Sequence, residues 1–171
     1  MASSYRLKRG PVIGLLLVVG VVGALLLGRG QLRPALDVYD AVVVPEAYAG
    51  TTYAVDGAVC LRASSAGASV SGVEDGGGTR IGLRPEGTPV TIAFPVAQDA
   101  LAPLEGLDVA AGDSTCTRVL VTPDGQGEQR AQEVSLKVRY GPFGLLRTTM
   151  SVTPPVTLQV TGTGTDPRTA G

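Results

Sequence analysis

From Asp37 onward the chain alternates apolar and polar residues in short runs broken by Gly, Pro and Asp, a period near two that specifies strands rather than helices. The clearest run places Val134, Leu136, Val138 and Tyr140 on one face and Ser135, Lys137 and Arg139 on the other. After Gly141-Pro142-Phe143-Gly144 the alternation resumes, with Leu146, Thr148, Met150 and Val152 opposite Arg147, Thr149 and Ser151. The pair predicts an antiparallel hairpin across a four-residue turn. The same logic predicts strands over 38–44, 58–63, 69–73, 79–84, 89–94, 116–122 and 156–161, separated by turn residues such as Asp75-Gly76-Gly77-Gly78 and Pro123-Asp124-Gly125-Gln126-Gly127. Nine short strands at this spacing favour an antiparallel β-sandwich or a small barrel. Only 97–106, with Ala and Leu around Pro103, offers a helical turn.

The first thirty residues break this pattern. Residues 11–28 (PVIGLLLVVGVVGALLLG) carry no charge and lie between Arg9 and Arg29. As a helix they would reach roughly 27 Å, close to the thickness of a bilayer's hydrocarbon. A secretory signal peptide has a similar plan but needs small residues just after its apolar run, where this chain has Leu25-Leu26-Leu27-Gly28-Arg29. The nearest suitable pair, around Ala47-Tyr48-Ala49, is about twenty residues too far along. The stretch therefore reads as an uncleaved anchor, with a cleaved, secreted form as the alternative. On either reading Arg6, Lys8 and Arg9 keep the N-terminus cytoplasmic and send the rest across the membrane. Gly20, Ala24 and Gly28 recur every four residues, the small-residue spacing at which membrane helices pair, although Gly is common in such helices regardless.

This topology decides how the two cysteines are read. Cys60 and Cys116 both fall in the exported part, and an even count in an oxidising compartment predicts a structural disulfide. Closing a loop of that length would stabilise the fold by roughly 4 kcal/mol in the chain-entropy model. With Cys60 in an early strand and Cys116 in a later one, the domain resembles an immunoglobulin-like sandwich in broad architecture. That resemblance implies a disulfide joining two sheets. The chain departs from the antibody-type pattern in having no Trp, in carrying Ser114 where a tyrosine corner would stand, and in placing two or three strands after Cys116.

Composition then narrows the chemistry. Asn, Trp and His are absent, Arg far outnumbers Lys, and Gly, Ala and Val abound, the bias of a GC-rich bacterial coding region. No acidic residue precedes Asp37, so the part after Gly28 carries eleven of the fourteen Lys and Arg against all fifteen Asp and Glu. An acidic body without a basic cluster excludes nucleic acid as a partner, since phosphate neutralisation supplies most of that affinity.

Absence of His removes Ser-His and Cys-His catalysis and the commonest metal ligand. Ser135 and Lys137 are the nearest approach to a Ser-Lys dyad, and Ser69, with Gly67 before it, narrowly misses a nucleophile elbow because Ser71 replaces its second Gly. Gly76-Gly77-Gly78-Thr79 lacks the Lys of a phosphate loop. Asp124, Gln126 and Glu128 offer oxygens for Ca²⁺, but Gly125 and Gly127 leave too few ligands and a turn explains the same letters. Tyr39, Tyr48 and Tyr53 read as core or interfacial residues rather than a sugar platform.

The sequence thus predicts a cytoplasmic tail over 1–10, a transmembrane helix over 11–28, a linker over 29–36, an extracytoplasmic β-domain over 37–161 and a disordered tail over 162–171. It predicts no catalytic site, cofactor or metal. The expected partners are the lipid bilayer and a protein of the cell envelope, met through edge strands and loops. A receptor for a small ligand or ion is the alternative.

Overall fold

A computed structural model describes residues 32–97, 100–164 and 166. The predicted membrane segment, its small residues Gly20, Ala24 and Gly28, and the basic Arg6, Lys8 and Arg9 all lie outside the described residues. Among the described residues no helix is long and apolar enough to cross a membrane.

The described chain is mainly β, with twelve strands and one 3₁₀ turn. In order they are β1 (Ala35–Val38), β2 (Val42–Ala49), β3 (Thr52–Arg62), β4 (Ala68–Glu74), β5 (Thr79–Gly82), β6 (Ile92–Val96), β7 (Asp108–Val109), β8 (Ser114–Val121), β9 (Gly127–Arg130), β10 (Val134–Tyr140), β11 (Leu146–Val152) and β12 (Val156–Thr163). One sheet runs β1-β3-β8-β5 with β6 also on β3; a second runs β11-β10-β4-β7, and a third β2-β12-β9. All ladders among these strands are antiparallel except β2 with β12. The sheets make a β-sandwich around one apolar core, to which Tyr53, Val59 and Val119 come from the first sheet, Val70, Leu136 and Val138 from the second, and Val44 and Leu158 from the third.

The strongest alternation folds as read. β10 and β11 pair from Val134–Val152 to Tyr140–Leu146, with Val134, Leu136, Val138 and Tyr140 all buried. Elsewhere the chain differs from expectation. The strand expected over 38–44 is two strands, because residues 39–41 leave the first sheet and β2 joins the third. Strands β7 and β9 are additional, and in 97–106, where a helical turn was expected, Ala102 is bridged to Leu83 and a single tight turn follows, closed by the Leu107 N–H on the Leu104 carbonyl. Order also reaches beyond the expected limits of the domain. β1 begins inside the expected linker, and Ser64 donates a hydrogen bond to the Leu32 carbonyl. The tail expected to be disordered from Gly162 instead continues β12 to Thr163, and Asp166 is buried, accepting a 2.9 Å hydrogen bond from the Tyr53 hydroxyl.

Cys60 and Cys116 form the expected disulfide, but it does not join two sheets. The two residues are direct cross-strand partners on β3 and β8, so the bond staples neighbouring strands of one sheet across 56 residues of sequence.

Candidate interaction site

β3 is unusual in being buried on both faces. Tyr53, Val55, Val59 and Leu61 belong to the core, while the other face carries a ladder of paired side chains with β8. Along it lie Thr52 with Thr122, whose hydroxyls are 2.8 Å apart, then Ala54 opposite Leu120, Asp56 opposite Arg118, and the cystine. Gly57, at φ 80°, sits in the irregularity that lets two extra β3 residues fit between the ion pair and the disulfide.

Arg118 is only 2% exposed, and its guanidinium meets the Asp56 carboxylate in two hydrogen bonds, of 2.7 and 2.8 Å. It also donates to the carbonyls of Pro89 and Ala100, at 3.1 and 3.4 Å. Asp56 in turn accepts from the Thr91 backbone N–H at 2.7 Å, and its own N–H donates to the Thr91 carbonyl. A bidentate pair that also satisfies backbone groups is the geometry in which a buried charge is tolerated. The hydrogen bonding by Asp56 raises the Arg118 pKa above its usual value; burial opposes this, and the carboxylate's charge adds to it. The clamp therefore holds the crossing segment at both Pro89–Thr91 and Ala100, on either side of β6.

β6 is the outcome of that arrangement. It pairs with Thr52–Val55 of β3, and among the described residues no strand pairs with its other edge. Val90, Ile92 and Phe94 are 68%, 59% and 59% exposed. Ala93, at φ 64°, is the extra residue of a bulge, and Pro95 lacks an N–H. Both features oppose the addition of another strand, leaving the apolar side chains as the contact-making groups. Between Arg84 and Arg118 the sequence has no Lys or Arg.

A second exposed apolar group lies at the other end of β3. The turn between β10 and β11 leaves Phe143 98% and Leu145 76% exposed. Phe143 has φ 57° and ψ 20°, a left-handed conformation uncommon for a bulky residue. Beside the turn is an open cleft of about 440 Å³ lined in part by Gly67, Ser69, Asp108, Arg139 and Phe143.

The other sequence candidates are accounted for by local structure. Ser135 shares a 2.7 Å hydrogen bond with Ser151, and Lys137 pairs with Glu74, so the two do not face each other as a dyad. Ser69 is inside β4, opposite Asp108 and Arg139, and not at a strand-to-helix turn. A Cβ on Gly76 would overlap the Glu133 carbonyl oxygen and one on Gly78 that of Thr122, so close backbone approach explains those glycines. Glu128 is bound by Arg130 on β9, and no group of three His, Cys, Asp or Glu among the described residues is placed to share a metal ion. Tyr53 is core, Tyr48 is half-buried, and Tyr39 is exposed at the end of β1.

Sequence reading missed the Asp56–Arg118 clamp and the burial of Asp166. For the clamp a signal existed in the charged residues inside otherwise apolar β3 and β8. The register did not: a regular ladder counted from the cystine sets Arg118 opposite Ala58, and only the bulge brings Asp56 there.

No protein-family model matches the chain, and no curated protein matches it. Among solved structures it is similar to the ASH / PapD-like domain of human CEP192 (PapD-like domain 7), with a TM-score of 0.44 and 9% identity over 77% of this chain and 87% of that one. It is also similar to part of the Vibrio cholerae VesB protease, with a TM-score of 0.41 and 10% identity over 79% of this chain and 34% of that one, so it spans about a third of that protein. Likenesses this distant assign no function.

Proposed function

We propose that the chain is a non-enzymatic, single-pass membrane-anchored domain on the extracytoplasmic side of the envelope, and that it acts as an interaction module whose protein-binding surface is the β6 edge. The observation that carries this reading is the exposure of Val90, Ile92 and Phe94 along the β6 edge, a segment held on either side by a buried ion pair. Exposed apolar groups on a rigid support make good anchors for a partner, because little ordering entropy remains to be lost on binding. The uncharged stretch over 11–28 supports the anchor, and a disulfide supports an oxidising compartment.

Affinity isolation of the crosslinked full-length protein from native membranes tests this. The wild type is expected to recover a reproducible protein partner that the variant carrying Ile92→Ser and Phe94→Ser does not. Recovery of the same proteins by both, or of none by the wild type, would sink the reading.

A further inference from the structure

Given that anchored reading, on which this inference rests, we propose that the β10–β11 turn is a lipid-contacting element: Phe143 and Leu145 enter the bilayer interface while Arg139 and Arg147 bind the phosphates of anionic lipids.

The first support is position. Ser64 holds the Leu32 carbonyl, and Gly67, in the same β3–β4 connection, lines one cleft with Phe143. The chain therefore joins the domain at the end that bears the turn. Leu32 is four residues beyond Gly28, so at most about 14 Å of chain separates this end from the predicted span. β6 lies elsewhere: Ile92 pairs with Val55, seven residues before Arg62 on β3 and roughly 20 Å from this end.

The second support is charge. Arg139 and Arg147 are direct cross-strand partners, both exposed, and among the described residues neither guanidinium has a hydrogen bond or ion pair. Like charges directly opposite one another destabilise a sheet. The nearest carboxylate in their row, Asp108, is two strands away from Arg139, across Ser69. A lipid phosphate between the two guanidinium groups removes that repulsion and matches their geometry.

The third support is the turn's own cost. Placing a Phe in the left-handed region is unfavourable, and exposing nearly its whole ring adds to that penalty. The apolar side chains lie in the turn that begins one residue pair beyond the two arginines, so ring and guanidinium groups can meet one interface together.

Because the chain contains no Trp, single tryptophans report on each region separately. Full-length Leu17→Trp, Phe94→Trp and Phe143→Trp variants would be placed in bilayer discs of phosphatidylcholine with phosphatidylglycerol, with and without brominated acyl chains. Phe143→Trp should show blue-shifted emission that brominated lipid quenches, whereas Phe94→Trp should show neither effect. Adding Arg139→Gln and Arg147→Gln should lower the docking equilibrium constant about five-fold for each arginine in anionic discs, with little change in pure phosphatidylcholine. If Leu17→Trp is quenched while Phe143→Trp behaves like Phe94→Trp, the inference is wrong and the anchor stands. If Leu17→Trp is not quenched, the anchor fails and takes the inference with it. Equal effects of the arginine changes in both lipids would remove the phosphate contact.

Discussion

The β6 edge and the β10–β11 turn both leave large apolar side chains in water, yet they are built in opposite ways. At β6 the charges are paired: Asp56 and Arg118 satisfy each other and the backbone on either side, and Arg84, the preceding cation in the sequence, donates to the Thr88 carbonyl. At the turn the charges are outside and, among the described residues, unpaired: two arginines abreast beside an exposed Phe. Exposure alone does not say what an apolar patch meets. A patch whose neighbouring charges are already paired fits a protein, whereas one backed by free guanidinium groups fits a phosphate-bearing surface.

The clamp is the most sensitive part of the β6 edge. Asp56→Ala leaves Arg118 buried without its carboxylate and should destabilise the full-length protein by about 3–5 kcal/mol in denaturant unfolding. Replacing both partners, Asp56→Leu with Arg118→Met, should recover much of that loss, since a buried pair can give way to apolar residues of similar volume. A single substitution that costs no more than a surface change would mean that the clamp does not hold the β6 segment. On the basic side, the raised folded-state pKa of Arg118 means that its share of the clamp's stability is fully present below the ordinary arginine range and is lost as pH climbs through the higher folded-state value.

The disulfide comes next. Cys60→Ser with Cys116→Ser should lower stability by about 2–4 kcal/mol, read as a shift of the denaturation midpoint. As the bond lies within one sheet, between β3 and β8, the loss should fall on the strands supporting β6 and leave the β10–β11 ladder the better protected in hydrogen exchange. Equal loss of protection in both regions would contradict that.

The smallest effect sharpens the other side. Phe143→Gly removes a bulky residue from a left-handed position and should leave stability unchanged or raise it by up to about 1 kcal/mol, while weakening contact with the bilayer. A marked loss of stability would show that the ring supports the fold.

Legibility in the sequence followed the same division. β10 and β11 were readable to the residue because each has one wet and one dry face, so alternation carries the whole signal. β3 was read only in part: both its faces are buried, and no alternation marks its start at Thr52. β9, with one Gly and three polar residues, owes its state to pairing with β12 rather than to its own composition. Asp166 gave no warning, since a carboxylate in a polar tail reads as solvent-exposed until the Tyr53 hydroxyl is known to meet it. Of the exposed apolar groups, Phe143 lies in a predicted turn, but the exposure of Ile92 and Phe94 depends on how the clamp carries β6 along the edge of the sheet.

One measurement tests the polarity of the domain directly. A photoreactive residue placed at position 92 or 143 of the full-length protein in living cells would be activated and its adducts separated into protein and lipid. The account predicts protein adducts from 92 and lipid adducts from 143; protein adducts from both, or the reverse pattern, would contradict it.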